Sequence, residues 1–491
     1  MATSNGYIIG IDIGTSAVKA LAVDRNGRTA TVRKEHEEAE SHTLWLETLK
    51  KCFRELGDNI DLSAVEAIAI AAQVNTYIFY NSNVDEKDLM VLSWTAGGGE
   101  RQLQDIKDRY DNDYFIKHIS MTHPNAIAYP IPRITYVRQE FGERWDQTEK
   151  ILQPKDYLYY KLTGVFASDA FTWRGLSNIA DAGFHDELLK DNRIPKNYLP
   201  ELHSPFTAAA TLTDEMSNRL LINKPVPVYL GCNDFFAGLV GMGIIGPRQY
   251  FDLTGTSEHL GMIGDKLDID SESISSPFFN GFVKYGVTAA SGTSIDWARR
   301  NFSSPAPSND HEPLSRSVFF PPIFLPYLKG ERAPIWDSKA RGVLFGLDSR
   351  DDNQNLLYSV REGVAFSIYH IWKSLQLDTT YSDQGIRTGG ALSADDTLNQ
   401  LKADIFGTGF ETPKEKECTA LGTAIIAGVG KGWFSDIKEG VDALVQVDRV
   451  IQPNSKHGDL LAGRFGIYEK LYPALKKHFH EFDNIRTEHN E

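Results

Sequence analysis

Residues 230–246 read LGCNDFFAGLVGMGIIG, and Asp234 is the only charged side chain among them. An ionised carboxylate is costly to bury in apolar surroundings unless it is paired or used, so Asp234 calls for a purpose. Two turns suggest a second kind of chemistry. Asp12-Ile-Gly-Thr-Ser and Asp252-Leu-Thr-Gly-Thr-Ser differ by one inserted residue. Glycine, threonine and serine together present backbone N–H groups and hydroxyls with no bulk in the way, which makes each turn a candidate phosphate cradle. Neither turn is a Walker loop, because the chain has no G-x-x-x-x-G-K-[ST] pattern. Asp12, just before the first cradle, is expected to serve a magnesium ion through water. Asp252 is expected to bond its own turn, as Asx residues do.

Three further stretches are candidates. In RTGGALSADDTLNQLKADIFG (387–407), Gly389 and Gly390 would let a flat ring approach the backbone. A plain strand-to-helix turn explains the pair equally well. ECTALGTAIIAGVGKGWF (417–434) reads as a small-residue helix suited to packing between domains. Residues 325–347 crowd Glu331, Arg332, Asp337, Lys339 and Arg341 beside Tyr327 and Trp336, which suggests a packed, ion-paired loop.

The elements that position these residues alternate strand and helix. An apolar strand from Tyr7 to Ile11, a turn over Asp12–Ser16 and a strand from Val18 to Val23 read as a hairpin. The same strand, turn, strand pattern recurs from Tyr250. Residues 65–73 and 225–234 read as buried strands, the second placing Asp234 at its C-terminal end, where open α/β sheets keep their ligands. Residues 355–375 have helical periodicity and no proline. The stretch 303–313 reads as a surface loop. The two cradles, near residues 14 and 255, divide the chain into near-equal halves, as a duplicated domain with one copy each side of a cleft would. The expected class is α/β, with domains 1–246 and 247–491.

Composition limits the partners. A chain of 491 residues is long for one core. Its 41% hydrophobic and 24% charged residues read as globular. The formal net charge of −15 argues against nucleic acid and anionic membranes, though a small phosphate ligand can be held by backbone N–H groups. No apolar run approaches the length of a membrane helix, and no secretory signal is visible. Three scattered cysteines, Cys52, Cys232 and Cys418, suggest a reducing compartment, so a cytoplasmic protein is expected. Oligomeric state is not legible, and a homodimer stays open.

Five motifs in order, GIDIGTSAVKA, PKDYLYYKLTG (154–164), DLTGTS, PYLKGERAPIWDSKARG and GGALSADDTLNQLKADIFG, make the chain resemble the FGGY carbohydrate kinase family over nearly its whole length. The resemblance implies two actin-like (ribonuclease H-like) domains with a central ATP cleft, and a sugar or polyol deeper in the N-terminal half. It also implies an ATP- and Mg²⁺-dependent kinase acting on a small-molecule alcohol. In the family a Gly-x-x-Asp motif supplies the base, and Gly231-Cys232-Asn233-Asp234 matches it. By the same carry-over Gly14, Thr15, Ser16 and Lys19 line the first phosphate turn, with Asp12 toward the metal. Gly255 and Thr256 line the second, and Gly389 and Gly390 back the adenosine. Ser393 and Asn399 follow in a stretch one residue longer than the usual family spacing.

The sugar side departs from the family. Where xylulokinases carry Met-His-Gly after a glutamine, this chain has Gln73-Val74-Asn75-Thr76. Trp94 is kept, but the usual Asp-x-Arg is replaced by three glycines before Glu100-Arg101, and Asp234 is followed by Phe235-Phe236. Gln73, Asn75, Thr76, Trp94, Arg101, Asp234 and Phe235 are the expected substrate residues. Fewer polar contacts imply a changed substrate, because such contacts discriminate hydroxyl patterns strongly. Xylulose is the default from the family's layout; gluconate, ribulose, erythritol and other polyols stay open. Two rivals remain: an idle sugar or ATP sensor of the same fold, and an actin-like ATPase.

Overall fold

The computed structural model describes residues 6–37, 41–123, 126–269, 273–302, 320–377 and 385–488. The stretch 303–313 expected to be a surface loop lies outside them. By contacts the chain forms two compact units, one of residues 1–245, 276–278 and 417–445, the other of 246–275, 279–416 and 446–491.

In the first unit β1 (Tyr7–Ile13) pairs antiparallel with β2 (Ala17–Asp24), which pairs antiparallel with β3 (Thr29–Glu35). On its other side β1 runs parallel to β4 (Val65–Ala72), and β4 parallel to β5 (Pro227–Tyr229). Strand β1 runs on through Asp12 and Ile13, so the turn is confined to Gly14–Ser16 rather than starting at Asp12. Both faces of these strands are apolar, so the adjacent pairs Ile8 and Ile9 on β1 and Ile68 and Ala69 on β4 are fully buried, as covered parallel strands require. Residue 234 opens α1 (Asp234–Gly241) rather than ending a strand.

The second unit repeats the plan. There β6 (Tyr250–Thr254) pairs antiparallel with β7 (Glu258–Gly264), and β7 antiparallel with β8 (Gly281–Val287). On its other side β6 runs parallel to β9 (Ile386–Gly390), and β9 parallel to β10 (Phe410–Pro413). The order third, second, first, fourth, fifth is thus the same in both sheets, as the matching turns suggested. Helices α2 (Ser291–Phe302), Asn353–Ser374 and α3 (Asp396–Phe406) belong to this unit. The charged stretch 325–347 is packed as expected: Glu331 and Asp337 are buried, with Glu331 accepting from Ala289 N, Arg332 N and the Ser367 hydroxyl.

Helix α4 (Cys418–Lys431) returns to the first unit. It packs on α1 and β1. The glycines explain the close crossing. A Cβ at Gly422 would lie 1.8 Å from Ala237 O, and one at Gly241 1.8 Å from Cys418 O. The glycines that weaken α1 as an isolated helix are what let it approach α4. Among the described residues no helix is long and apolar enough to cross a membrane.

Candidate active site

Strand register gathers the first unit's candidates at one edge. Ile13 stands opposite Ala72, and Ala72 is bridged to Asn233. Gly14 and Gln73 come one residue later, past the ends of the parallel strands β1 and β4. Asp234 follows the bridged Asn233 at the start of α1. All three therefore lie beyond the C-terminal strand ends, where α/β sheets bind ligands.

The N-cap of α1 is Asn233, whose side chain accepts from Phe236 N at 2.8 Å. Its amide nitrogen donates to Phe171 O at 2.8 Å. Helix capping is therefore met by Asn233, and the Asp234 carboxylate accepts from Phe235 N at 2.8 Å. Part of Asp234 is open to solvent, yet protein crowds its carboxyl. Burial first, and the like charge of Asp12 second, push its pKa up to about 7.

Asp12 is buried and faces Lys19 across the hairpin, with Lys19 Nζ 2.7 Å from Oδ2. Its Oδ1 has no partner. Magnesium favours one or two carboxylates plus waters and substrate phosphates, so one orphaned oxygen fits such an ion. Among the described residues no cluster of three or more His, Cys, Asp or Glu could hold a metal without that help. The carbonyl of Gly14 lies 3.1 Å from His36 Nε2, and that of Ser16 accepts from His36 N at 2.9 Å. In a trans peptide the next N–H points the opposite way, so the amides of Thr15 and Ala17 face away from His36. The Thr15 hydroxyl donates to Gln73 Oε1 at 2.6 Å, tying the Gly14–Ser16 turn to the end of β4.

Gln73, Asn75, Thr76 and Trp94 are brought together. Buried Gln73 keeps Nε2 without an acceptor. Asn75 has φ 65° and donates its N–H to Gln153 Oε1 at 2.7 Å; asparagine tolerates that left-handed conformation better than most residues. The Thr76 hydroxyl accepts from Trp94 N at 3.2 Å. Phe235 packs on Phe236, whose ring also meets Phe171 and Phe278. Arg101 stands apart, exposed on the helix Glu100–Arg109 and bonded to Gln139 at 3.3 Å.

Two features escaped the sequence reading. Arg133 is fully buried in the helix Pro130–Glu140 and donates to the carbonyls of Ser93, Ala96, Gly97 and Gly98. It staples the triglycine loop that replaces the family's Asp-x-Arg. Lys155, Asp156 and Asp169 form a wholly buried charged group, with Lys155 Nζ 3.0 Å from Asp169. Both carry the signal that singled out Asp234, a charge inside an apolar run.

In the second unit the turn is Gly255–Ser257. Gly292 N donates to Gly255 O at 3.1 Å and Thr293 N to Thr256 O at 3.4 Å. By the same peptide geometry the amides of Thr256 and Ser257 face away from α2. Asp252 does not bond its own turn as expected. It accepts from Lys402 at 2.7 Å and from the Thr388 hydroxyl at 3.0 Å. Gly390, with φ 87°, passes so close to Thr254 that a Cβ would lie 2.0 Å from its carbonyl oxygen. Gly389 O accepts from the Thr254 hydroxyl at 2.7 Å. Asn399 is buried and donates to Ser393 O at 2.9 Å, bracing the turn after β9.

The model of the FGGY family of carbohydrate kinases, N-terminal domain, matches residues 7–241, and that of the C-terminal domain matches residues 253–430. A xylulose kinase of Staphylococcus epidermidis is 27% identical over 497 aligned positions, covering 96% of this chain and 97% of that protein. Two solved structures from Lactobacillus acidophilus are each 26% identical. A ligand-bound xylulose kinase matches with TM-score 0.82 over 97% of this chain and 100% of its own. A gluconate kinase matches with TM-score 0.83 over 98% and 100%.

Proposed function

The chain belongs to the FGGY family of carbohydrate kinases and is an ATP-dependent sugar kinase, and we propose that it phosphorylates a terminal hydroxyl of a small open-chain sugar or polyol, with Asp234 as the base. The observation that carries this is a crowded carboxylate at the strand ends that the helix does not need as its cap. Asn233 caps the helix, while Asp234 stands at the strand ends with its pKa near neutrality.

Phosphoryl transfer asks the protein for positioning and charge stabilisation. An ionised Asp234 bonds the acceptor hydroxyl and takes its proton as that oxygen attacks the γ-phosphorus. The new O–P bond forms as the bond to the β-phosphate oxygen breaks, and ADP leaves. The turns at Gly14–Ser16 and Gly255–Thr256, with Lys19, are the proposed phosphate contacts, and Gly389–Gly390 the proposed backing for the adenosine. Asp12 would hold Mg²⁺, which shields the phosphate charge. Gln73, Asn75, Thr76, Trp94 and Phe235 line the proposed sugar side, so the N-terminal half takes the sugar and the C-terminal half the adenosine. Xylulose is the first substrate to try and gluconate the second, following the relatives' own names. A cytoplasmic setting suits Cys52, Cys232 and Cys418, which are buried and outside any disulfide.

The test is ADP release, by a coupled assay, over a panel of ketoses, polyols and sugar acids. Sugar-dependent release is expected. Sugar-independent release would mean an ATPase, and none at all an idle binding protein; either outcome overturns the reading.

A further inference from the structure

Lys402 is fully buried on α3. Its Nζ lies 2.7 Å from Asp252 Oδ2 and also bonds Glu258 Oε1. The two carboxylates flank the second turn. Asp252 is on β6, three residues before Gly255, and Glu258 opens β7 opposite Thr254. The other Glu258 oxygen accepts from the Ser291 hydroxyl, on the first residue of α2. The next two residues of α2, Gly292 and Thr293, donate to the turn carbonyls. Glu258 is also held at its backbone, where its N–H donates to the Thr288 hydroxyl at 3.1 Å and its carbonyl accepts from Thr288 N at 3.0 Å.

Such a group is expensive to build. A buried ion pair often adds nothing over a well-packed apolar core, and its retention needs a reason beyond stability. The reason lies in what it grips. One ammonium joins both strands at the neck of the hairpin, and through Glu258 it fixes the end of α2 that orients the turn.

We propose that Lys402 is a positioning residue for nucleotide binding, bonding Asp252 and Glu258 so that the amides of Thr256 and Ser257 stay turned away from α2 toward the phosphates of ATP. This rests on the nucleotide role of the turn proposed above. Burial, and next the nearby charge of Asp252, raise the pKa of Glu258, and Lys402 opposes that rise.

The test is Lys402→Met combined with Glu258→Gln, which removes one charge of each sign, and separately Lys402→Arg. The arginine keeps the charge that the carboxylates need but cannot set one atom against both. ATP Kd is measured by calorimetry, KM for the sugar by coupled assay, and Tm by circular dichroism. In folded protein the double variant is expected to raise the ATP Kd at least tenfold and Lys402→Arg at least threefold, with sugar KM within twofold. An ATP Kd within twofold of the parent in a folded variant overturns the proposal, as does a parallel loss of ATP and sugar affinity. Should the double variant not fold, Lys402→Arg decides by itself. Gly255→Val separates the two layers. If it leaves the ATP Kd unchanged, the nucleotide role of the turn fails; if it weakens ATP binding while the Lys402 variants do not, only the present inference fails.

Discussion

Replacing Asp234 with asparagine keeps the shape and removes the proton acceptor. In the folded protein its carboxyl is raised from the ordinary 3.8 to about 7. Below about pH 4 both folded and unfolded states hold the proton, and nothing is lost. Between about pH 4 and pH 7 the unfolded chain releases it while the folded chain retains it, so stability falls as pH rises. About three pH units at about 1.4 kcal/mol each set a ceiling of about 4 kcal/mol. The partial opening of Asp234 to solvent lowers the real figure. Asp234→Asn is therefore expected to raise the Tm of the ligand-free protein by several degrees at pH 8, given about 2–4 °C per kcal/mol in domains of this size. At pH 4 it should change little. Turnover should fall by about 10²–10⁴-fold or more, the usual worth of a positioned base, with ATP Kd unchanged. Turnover, ATP affinity and melting at both pH values are measured on one preparation. Near-native turnover would remove Asp234 from the chemistry, and an equal Tm change at both pH values would refute the electrostatic reasoning.

Because the base must be ionised, kcat/KM for the sugar should climb with an acid limb near pH 7; a profile flat from pH 5.5 to 8 would contradict the rise attributed to burial and Asp12. At Gly14 a Cβ would sit 3.0 Å from Lys19 Nζ, so Gly14→Val should raise the ATP Kd at least tenfold while sugar binding holds, and equal loss of both would make the turn merely structural. Gly422→Ala forces α4 off α1, since its Cβ would meet Ala237 O at 1.8 Å; overpacking of about 1–3 kcal/mol should lower both Tm and turnover, and unchanged values would contradict the close crossing.

The hairpins, the long helix Asn353–Ser374 and the buried strand Val65–Ala72 were legible because local pattern decides them. Apolar alternation, an Asn-Gly turn and an uninterrupted helical period need no distant partner. The packing of α4 was not legible: small residues announce a close approach but not its partner. Asp252 was misread for a similar reason. An aspartate before a turn has a local bond available, and only the fold could reveal that Lys402, 150 residues away, outcompetes it. Arg101 was expected on the sugar side from the family's Asp-x-Arg pattern, and the arginine that holds the triglycine loop, Arg133, comes from another helix. A charge inside an apolar run marks a buried side chain, as at Arg133 and Lys155, but it does not say which group will pair it.

The two hairpins show what duplication keeps and what it releases. Five strands of each sheet share one order, and both turns read Gly-Thr-Ser. The aspartate on the first strand has diverged. In β1 its cross-strand neighbour is Lys19, so the counter-charge comes from the hairpin itself and stays next to the turn. In β6 the corresponding neighbour is Leu260, and the counter-charge must come from α3. The extra residue in the second copy belongs to this difference. It sets Asp252 one step further from its glycine and places Thr254 between them, whose hydroxyl joins Gly389 O to Leu392 N. Asp252 is thereby wholly buried, while the first copy keeps Asp12 close enough for its charge to be felt at Asp234. Corresponding aspartates thus take two settings, one paired within its own hairpin by Lys19 and one paired from α3 by Lys402. The asymmetry follows from a single inserted residue and the side chain opposite it.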